Sequence, residues 1–530
     1  MNLEPLFKPK NAIAVVGVST TNWLNPGTVV WRKNYFMQDA KRNVYGVNPK
    51  GGIIDGQPIF QNIEDVPEKL DLVVGALRAE HTPELVEQAG RLGVPAMIVV
   101  SGGFAEVGGR GRALEEEITK LAYEYDIALI GPNCVGIIAP PYVDTFFIPS
   151  ERFIRPKFGG NMMLVSQSGG VLADQFFAKF AQRDIAIAGA VSIGNKAVID
   201  EITLLEYFAK DPHIKNMVFY LEGFGEGEGR DFLLSAAKTN KTVMVYKGGR
   251  SEAGARAAAS HTAAVATSAA IGSFAFKQYS IIEIRGEQEL ISFAKTFTEL
   301  SGAGGPFYMN AIHGDIVILT VSGGHGVLAT DLLERYELNL VSFTEQEVEL
   351  LRTKINPSAA SIASYHNPID LTGSVVDDDI INTLEALLQM PKVEIVILLI
   401  LPYPPLISMA LGERVRLIAR MHKKPIVAYV PRLERYRMIF EALEDGNIPT
   451  ADTIEQAVQM AYAIHQRSRA IARFDARNKE SDLAGIAETT YDFNEKDERE
   501  QEQALENSSK DSVKVTTKKV RKKAKSQTTP

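Results

Sequence analysis

The sequence predicts an α/β fold made of three consecutive doubly wound parallel-sheet modules, followed by a disordered charged tail. Three observations predict it. Short apolar runs of strand length alternate with helical patterns through most of the 530 residues. Glycine turns close many of those runs, as expected where a parallel strand hands over to a helix. The opening pattern, an apolar strand running into a small-residue turn, also starts afresh twice, at Asn161 and at Asp315.

The first module is placed at residues 1–145. Asn11 to Val16 reads as a buried strand that ends in the turn Gly17-Val18-Ser19. Val44 to Val47 is a strand stopped by Asn48-Pro49-Lys50. Leu72 to Leu77 follows, then Ala96 to Val100 into Ser101-Gly102-Gly103, and Ile127 to Ile130 into Gly131-Pro132-Asn133-Cys134. Thr82–Leu92 and Ala113–Tyr125 have the apolar spacing of helices. A connector rich in proline and aromatics runs from about 138 to 160.

The second module, 158–303, opens with Asn161 to Val165 and the turn Ser166-Gln167-Ser168-Gly169-Gly170. Its later strands are Ile187–Ile193, ending at Gly194-Asn195, then Met217–Leu221, ending at Glu222-Gly223, and Val243–Tyr246. The last of these leads into a stretch dominated by small residues, 246–262, which closes on Ser260-His261-Thr262. The third module, 310–467, opens with Asp315 to Val321 and the turn Ser322-Gly323-Gly324-His325-Gly326. It continues through strands Val393–Leu401 and Pro425–Val430 to a closing helix, Thr453–Arg467. Residues 468–530 nearly lose their aromatic and branched apolar residues. An acidic stretch gives way there to a Lys/Arg-rich end, and the composition predicts a disordered, solvated tail. Its basic cluster leaves RNA, an acidic partner or a membrane surface as possible contacts.

Composition narrows the function classes. Hydrophobic residues make up 45% and charged residues 23%, enough for full cores in about three or four domains. A net charge of −8 argues against broad nucleic-acid binding by the main body. The single cysteine, Cys134, excludes an intrachain disulfide and a multi-thiolate metal site, and suits a reducing cytosol. No apolar run is long enough to span a membrane, and the first residues do not read as a secretory signal.

Several turns invite chemistry. Gly17 with Ser19 marks an anion-accepting strand–turn. The G-x-G-x-x-G fingerprint of dinucleotide binding is missing, which counts against a dehydrogenase, and neither a P-loop nor a G-x-S-x-G elbow is present. Ser166 to Gly170 sets hydroxyls and glycines at a helix start, where N–H groups and the helix dipole can hold a phosphate; it reads equally as an ordinary N-cap. His261 ends a Gly/Ala/Ser-rich stretch, and neutral imidazole is a good nucleophile near neutral pH. Glu222, at a strand end of the same module, can accept an imidazole N–H and fix its tautomer, or be a solvated strand-end acid.

Taken together and in order, Val-Val-Gly17-Val-Ser19, Gly131-Pro-Asn133-Cys134-Val-Gly136, Ser166-Gln-Ser168-Gly169-Gly170, Gly194-Asn195, Tyr220-Leu-Glu222-Gly223, Gly249-Arg250-Ser-Glu-Ala-Gly254 and Ala259-Ser260-His261-Thr262 resemble one family. It is the α subunit of ADP(NDP)-forming acyl-CoA synthetases, in the succinyl-CoA synthetase superfamily. The resemblance runs over about residues 8–466. It implies a Rossmann-like CoA-binding domain followed by two flavodoxin-like ligase domains. It implies CoA contacts at Gly17, Ser19, Asn48, Lys50 and Asn133, phosphate held by Ser166, Gln167, Ser168, Gly169 and Gly170, and phosphorylation of His261 with support from Glu222. The implied reaction interconverts acyl-CoA, ADP and phosphate with a carboxylic acid, CoA and ATP.

The resemblance further implies a separate ATP-grasp β subunit carrying the nucleotide site, Mg²⁺ arriving with ATP or ADP, an α2β2-like hetero-oligomer and a cytoplasmic location. No metal ligand set, membrane contact or specific nucleic-acid partner is expected of this chain. Ala263 and Thr267 stand where the family commonly has Gly, Arg78 where it has Pro, and His325 where it has Pro. A non-catalytic CoA-binding or regulatory homologue is the alternative. The acyl group is left open.

Overall fold

In a computed structural model the backbone is described for residues 1–37, 42–225, 227–261, 269–300 and 310–484, and side chains for these except 257–261, 269–271 and 479–484. The chain divides into Met1–Phe474, which holds every sheet described below, and a second unit from Asp475 onward.

The first sheet is built from β1 (Ala12–Val16), β2 (Val44–Val47), β3 (Gly52–Ile54), β4 (Gln57–Phe60), β5 (Leu70–Gly75), β6 (Ala96–Val99) and β7 (Ala128–Ile130), in the order β3-β4-β2-β1-β5-β6-β7. All pairs are parallel except the β3–β4 hairpin. Because successive crossovers run to opposite sides of β1, the chain parts at the carboxyl ends of β1 and β5 and leaves a crevice there. All five β1 residues are buried, as befits a central strand covered on both faces.

The second sheet joins β8 (Ile137–Ala139), β9 (Val143–Asp144), β10 (Phe158–Ser166), β11 (Ile187–Ser192), β12 (Asn216–Leu221), β13 (Thr242–Lys247) and β14 (Ile282–Ile284), in the order β14-β13-β12-β10-β11-β8-β9. Its parallel part has the flavodoxin-like 2-1-3-4-5 order, with the crevice between β10 and β12. The third sheet, from β15 (Asp315–Thr320), β16 (Asn339–Leu340), β17 (Ile369–Asp370), β18 (Ile395–Leu399), β19 (Ile426–Tyr429) and β20 (Thr450–Ala451), repeats that order as β16-β15-β18-β19-β20, with β17 also on β15.

Side-chain alternation builds the cores. Met163 and Val165 of β10 point into a core that runs on into the first module, while Met162 and Leu164 face a separate cluster around Phe176, Phe177 and Phe180. Val317 and Leu319 likewise face one side of the third sheet, and Ile316 and Ile318 the other.

Two features depart from the sequence reading. Residues 137–144, read as the end of the first module and the start of a connector, form β8 and β9, which add antiparallel strands to the second sheet. The closing helix does not stop at Arg467: it spans Ile454–Ala484. Ser468 and Ala470, assigned to the tail, are buried, and Ser468 Oγ accepts from the Ala311 N–H at 3.2 Å. This helix is wedged between modules. Tyr462 lies against Phe293 of the second and Tyr336 of the third, at 6.1 and 5.1 Å between ring centroids. Residues 485–530 lie outside the described residues.

The loop after β11 locks the first two modules together. The N–H groups of Asn195, Ala197 and Ile199 donate to the carbonyls of Pro132, Gly131 and Leu129 at 2.9, 3.1 and 3.1 Å. Gly194 has φ +58°, and a Cβ there would lie 2.2 Å from the Pro132 oxygen. Gly194→Ala is therefore expected to cost at least about 2 kcal/mol, from left-handed strain plus the clash. Urea unfolding of the full chain, followed by far-UV circular dichroism, measures it.

Candidate functional site

The carboxyl end of β1 turns at Gly17 (φ +95°), where a Cβ would come within 2.3 Å of the Ala76 oxygen at the end of β5. The helix that follows, Pro26–Tyr35, is capped by Asn25, whose side chain accepts from the Thr28 N–H. Ser19 is bound into the same turn: its N–H donates to Thr28 Oγ1 at 2.7 Å, and its Oγ accepts from the Asn22 N–H at 3.0 Å. Asn48 closes the far wall by donating to the Val18 carbonyl at 2.6 Å and accepting from the Lys50 N–H at 2.9 Å. Gly17, Ser19, Asn48 and Lys50 thus stand together. Asn133 does not join them: it follows β7, three strand positions from β1, and donates to Asn195 Oδ1 at 3.2 Å. Asn195 Nδ2 in turn donates to Glu106 at 2.6 Å and Glu115 at 2.7 Å.

The second crevice is the more densely built. Ser166 is buried, and its Oγ donates to the Ser168 carbonyl at 2.7 Å. Ser168 caps a helical run, Gly169–Gln182, by accepting from the Val171 N–H at 3.3 Å. A Cβ on Gly169 would lie 2.1 Å from Val135 Cγ2, whereas one on Gly170 would meet nothing closer than Ser168 Oγ at 4.0 Å. The N–H groups that open a helix lack intrahelical partners, so Gly169 and Gly170 offer donors for an anion.

Gln167 has another task. Its Oε1 accepts from the N–H of Glu222 at 2.6 Å and of Gly223 at 3.3 Å, and its Nε2 donates to the Gly223 carbonyl at 2.9 Å. The side-chain amide staples the end of β10 to the end of β12, and so positions Glu222.

Around Glu222 stand groups to which the sequence reading gave no role. Tyr220 OH lies 3.4 Å from Glu222 Oε1, and burial, reinforced by the carboxylate, pushes the phenol up to about 12. Lys247 Nζ donates to the Glu222 carbonyl at 2.6 Å and the Gly248 carbonyl at 2.7 Å; burial lowers its pKa while Glu222 opposes the shift. Arg250 pairs with Glu283 at 2.7 Å, and Ser273 donates to the same oxygen at 2.9 Å. The signal for Tyr220 was its two-residue spacing from Glu222, which puts both on one face of a strand.

The helix Glu252–His261 starts beside this crevice, with Ser251 Oγ accepting from the Gly254 N–H at 3.0 Å. His261 closes it, about 14 Å along its axis. The His261 side chain, and with it the expected pairing to Glu222, lies outside the described residues.

The third module repeats the turn. Thr320 Oγ1 donates to the Ser322 carbonyl at 3.2 Å, as Ser166 does to Ser168. The helix Gly323–Arg335 follows, but Ser322 Oγ faces His325 Nδ1 at 3.0 Å instead of capping it. His325 is half-buried.

Comparison with known proteins bears on this arrangement. Residues 11–140 match the family model of a CoA binding domain, and residues 159–297 that of a succinyl-CoA ligase like flavodoxin domain. The chain is 31% identical over 474 residues to the α subunit of the ADP-forming acetate–CoA ligase II of Pyrococcus furiosus, with 88% of this chain aligned to 98% of that one. This chain belongs to the family of ADP-forming acyl-CoA ligase α subunits.

Within that family it is also 30% identical to the ADP-forming 4-hydroxybutyrate–CoA ligase of Nitrosopumilus maritimus, over 88% of this chain and 64% of that one. Its fold is similar to that of the dinucleotide-forming acetyl-coenzyme A synthetase 1 of Ca. Korarchaeum cryptofilum solved with phosphate and ADP, with a TM-score of 0.75, 29% identity, and 90% and 99% of the two chains covered.

Removing the Gln167 staple tests the positioning role. Gln167→Ala is expected to cost about 2–3 kcal/mol, from lost hydrogen bonds and half-buried groups left unpaired. It should also speed hydrogen exchange at the Glu222 and Gly223 amides, read by mass spectrometry, while leaving the amides of β1 and β5 unchanged.

Proposed function

We propose that the chain is the catalytic α subunit of an ADP-forming acyl-CoA synthetase that interconverts acyl-CoA, ADP and phosphate with a small carboxylic acid, CoA and ATP. The observation that carries this is the β10–β12 crevice, where an open Ser-Gly-Gly helix start and a stapled Glu222 converge in a chain of which 88% aligns with a ligase α subunit.

The reaction runs in balanced steps. A phosphate oxygen attacks the thioester carbonyl, the C–S bond breaks, and CoA leaves as thiolate and takes a proton. His261 then attacks the acyl phosphate phosphorus through a neutral ring nitrogen, and the carboxylate leaves as the P–O bond breaks. The β-phosphate oxygen of ADP finally takes the phosphoryl group from the imidazole, giving ATP. In this scheme the N–H groups of Gly169 and Gly170 hold the phosphoryl oxygens and the helix dipole favours their charge. Ser168 fixes the turn, and Glu222 accepts the second imidazole N–H, which selects the tautomer. Gly17, Ser19, Asn48 and Lys50 receive CoA at the crevice of the first sheet.

The nucleotide is assigned to a separate ATP-grasp β chain in an α2β2-like assembly, in the cytoplasm. Among the described residues no group of three or more His, Cys, Asp or Glu side chains could hold a metal ion, so Mg²⁺ is assigned to the nucleotide and no step is given to it here. No helix among the described residues is long and apolar enough to cross a membrane.

The purified chain should take up label from ³²P-phosphate plus acetyl-CoA, in an acid-labile, alkali-stable form. His261→Ala should abolish the label, and Glu222→Gln should slow its uptake about 10- to 100-fold, since the amide keeps a hydrogen bond without the charge. Unchanged labelling of His261→Ala would remove the histidine from the mechanism.

A further inference from the structure

Next to the first crevice the surface is apolar where a solvated loop would be expected. Trp23 is 49% exposed and Leu24 52% exposed. Both sit in the loop that starts at the Gly17 turn and ends at the Asn25 cap. Trp23 is nevertheless held in place. The Arg32 guanidinium lies over its ring, 4.8 Å from the centroid, and is fixed from the other side by Asp55 at 3.1 Å. Asp55 sits in the β3–β4 hairpin, and Thr20 packs against Gly52 at its start, where a Cβ would come within 2.8 Å of Thr20 Cγ2. Loop, helix and hairpin are thereby joined through one cation–aromatic stack, so the indole is pre-positioned at little further entropic cost.

The placement matches a dinucleotide-like ligand. Trp23 precedes the Asn25 cap by two residues and Arg32 lies in the second turn of the helix Pro26–Tyr35, so the stack stands beside the helix start where a diphosphate would be held. An indole with one ring face on a guanidinium leaves its other face for a second planar π system, and every nucleobase has one.

We propose that Trp23 is the platform on which the adenine of CoA stacks, with Arg32 backing the ring. This rests on the reading that CoA occupies the crevice at Gly17 and Ser19, and adds the element that discriminates CoA from its adenine-free fragment.

The chain has two tryptophans, and Trp31 is fully buried, so the exposed indole is itself a reporter. CoA should quench the emission of the full chain, and the quench should disappear in Trp23→Phe. In calorimetry Trp23→Ala should weaken CoA about 5- to 150-fold, the span for losing one base–aromatic stack. Trp23→Phe should stay within about threefold of wild type. 4′-Phosphopantetheine, which lacks the adenosine, should bind wild type and Trp23→Ala alike.

Equal affinity of wild type and Trp23→Ala for CoA would overturn the proposal and leave the CoA reading standing. Equal weakening of CoA and 4′-phosphopantetheine would overturn it too, since Trp23 would then only shape the loop. A ³²P-labelling-competent wild-type chain that binds no CoA at millimolar ligand would remove both the proposal and the reading beneath it.

Discussion

The arrangement of the whole chain depends on the way a doubly wound parallel sheet parts. Where consecutive crossovers leave one strand in opposite directions, two strand ends stand side by side without a loop between them, and the helix starts beside them are open. This happens between β1 and β5, between β10 and β12, and between β15 and β18. A glycine or hydroxyl turn stands at each of these points. In the middle sheet the gap is stapled by Gln167, whose three hydrogen bonds hold the Glu222 backbone beside the Ser168 turn. That clamp extends the backbone ladder, in which the Gln167 N–H donates to the Tyr220 carbonyl at 3.1 Å, on to Glu222 and Gly223.

Between the modules a shared apolar core is joined by specific polar contacts. Asn195 reaches across to Glu106 and Glu115. Burial raises the Glu115 carboxyl; burial works in the same direction on Glu106, but the Asn195 amide and the N–H groups of Gly103 and Phe104 outweigh it and hold that carboxyl below its usual range. At the other junction Lys295 of the second module meets Glu444 at 3.1 Å and Thr450 at 2.9 Å in the third. Such networks are expensive to break one partner at a time, which favours a fixed relation between neighbouring modules.

Much of this was legible in the sequence because its signals are local. Strand–turn–helix alternation and the Ser-Gly-Gly turn are written in consecutive residues, and the three sheets follow from them. What was missed depends on distant partners. β8 and β9 are three and two residues long, flank Pro140-Pro141, and are strands only because β11 offers an edge to Ile137 and Ile138. The length of the last helix was hidden because Ser468 and Ala470 look like tail residues until the fold buries them, Ser468 against the Ala311 N–H and next to Arg467, which donates to the Asn240 and Lys241 carbonyls. Gln167 was placed among the phosphate contacts by resemblance, and its hydrogen bonds to residues 55 and 56 positions away could not be read from its neighbours. Asn133 was given a CoA contact by resemblance, and its hydrogen bond to Asn195, 62 residues away, could not be read from its neighbours.

The central claim is that the crevice between β10 and β12 is where the phosphoryl group is held. Selenate has the shape and charge of the ligand and can be located by anomalous scattering in crystals of the full chain. A peak is expected within hydrogen-bonding distance of the Gly169 and Gly170 nitrogens, on the Glu222 side of the Ser168 turn. Selenate found only at the other crevices, with the Ser168 turn empty at concentrations that fill them, would contradict it.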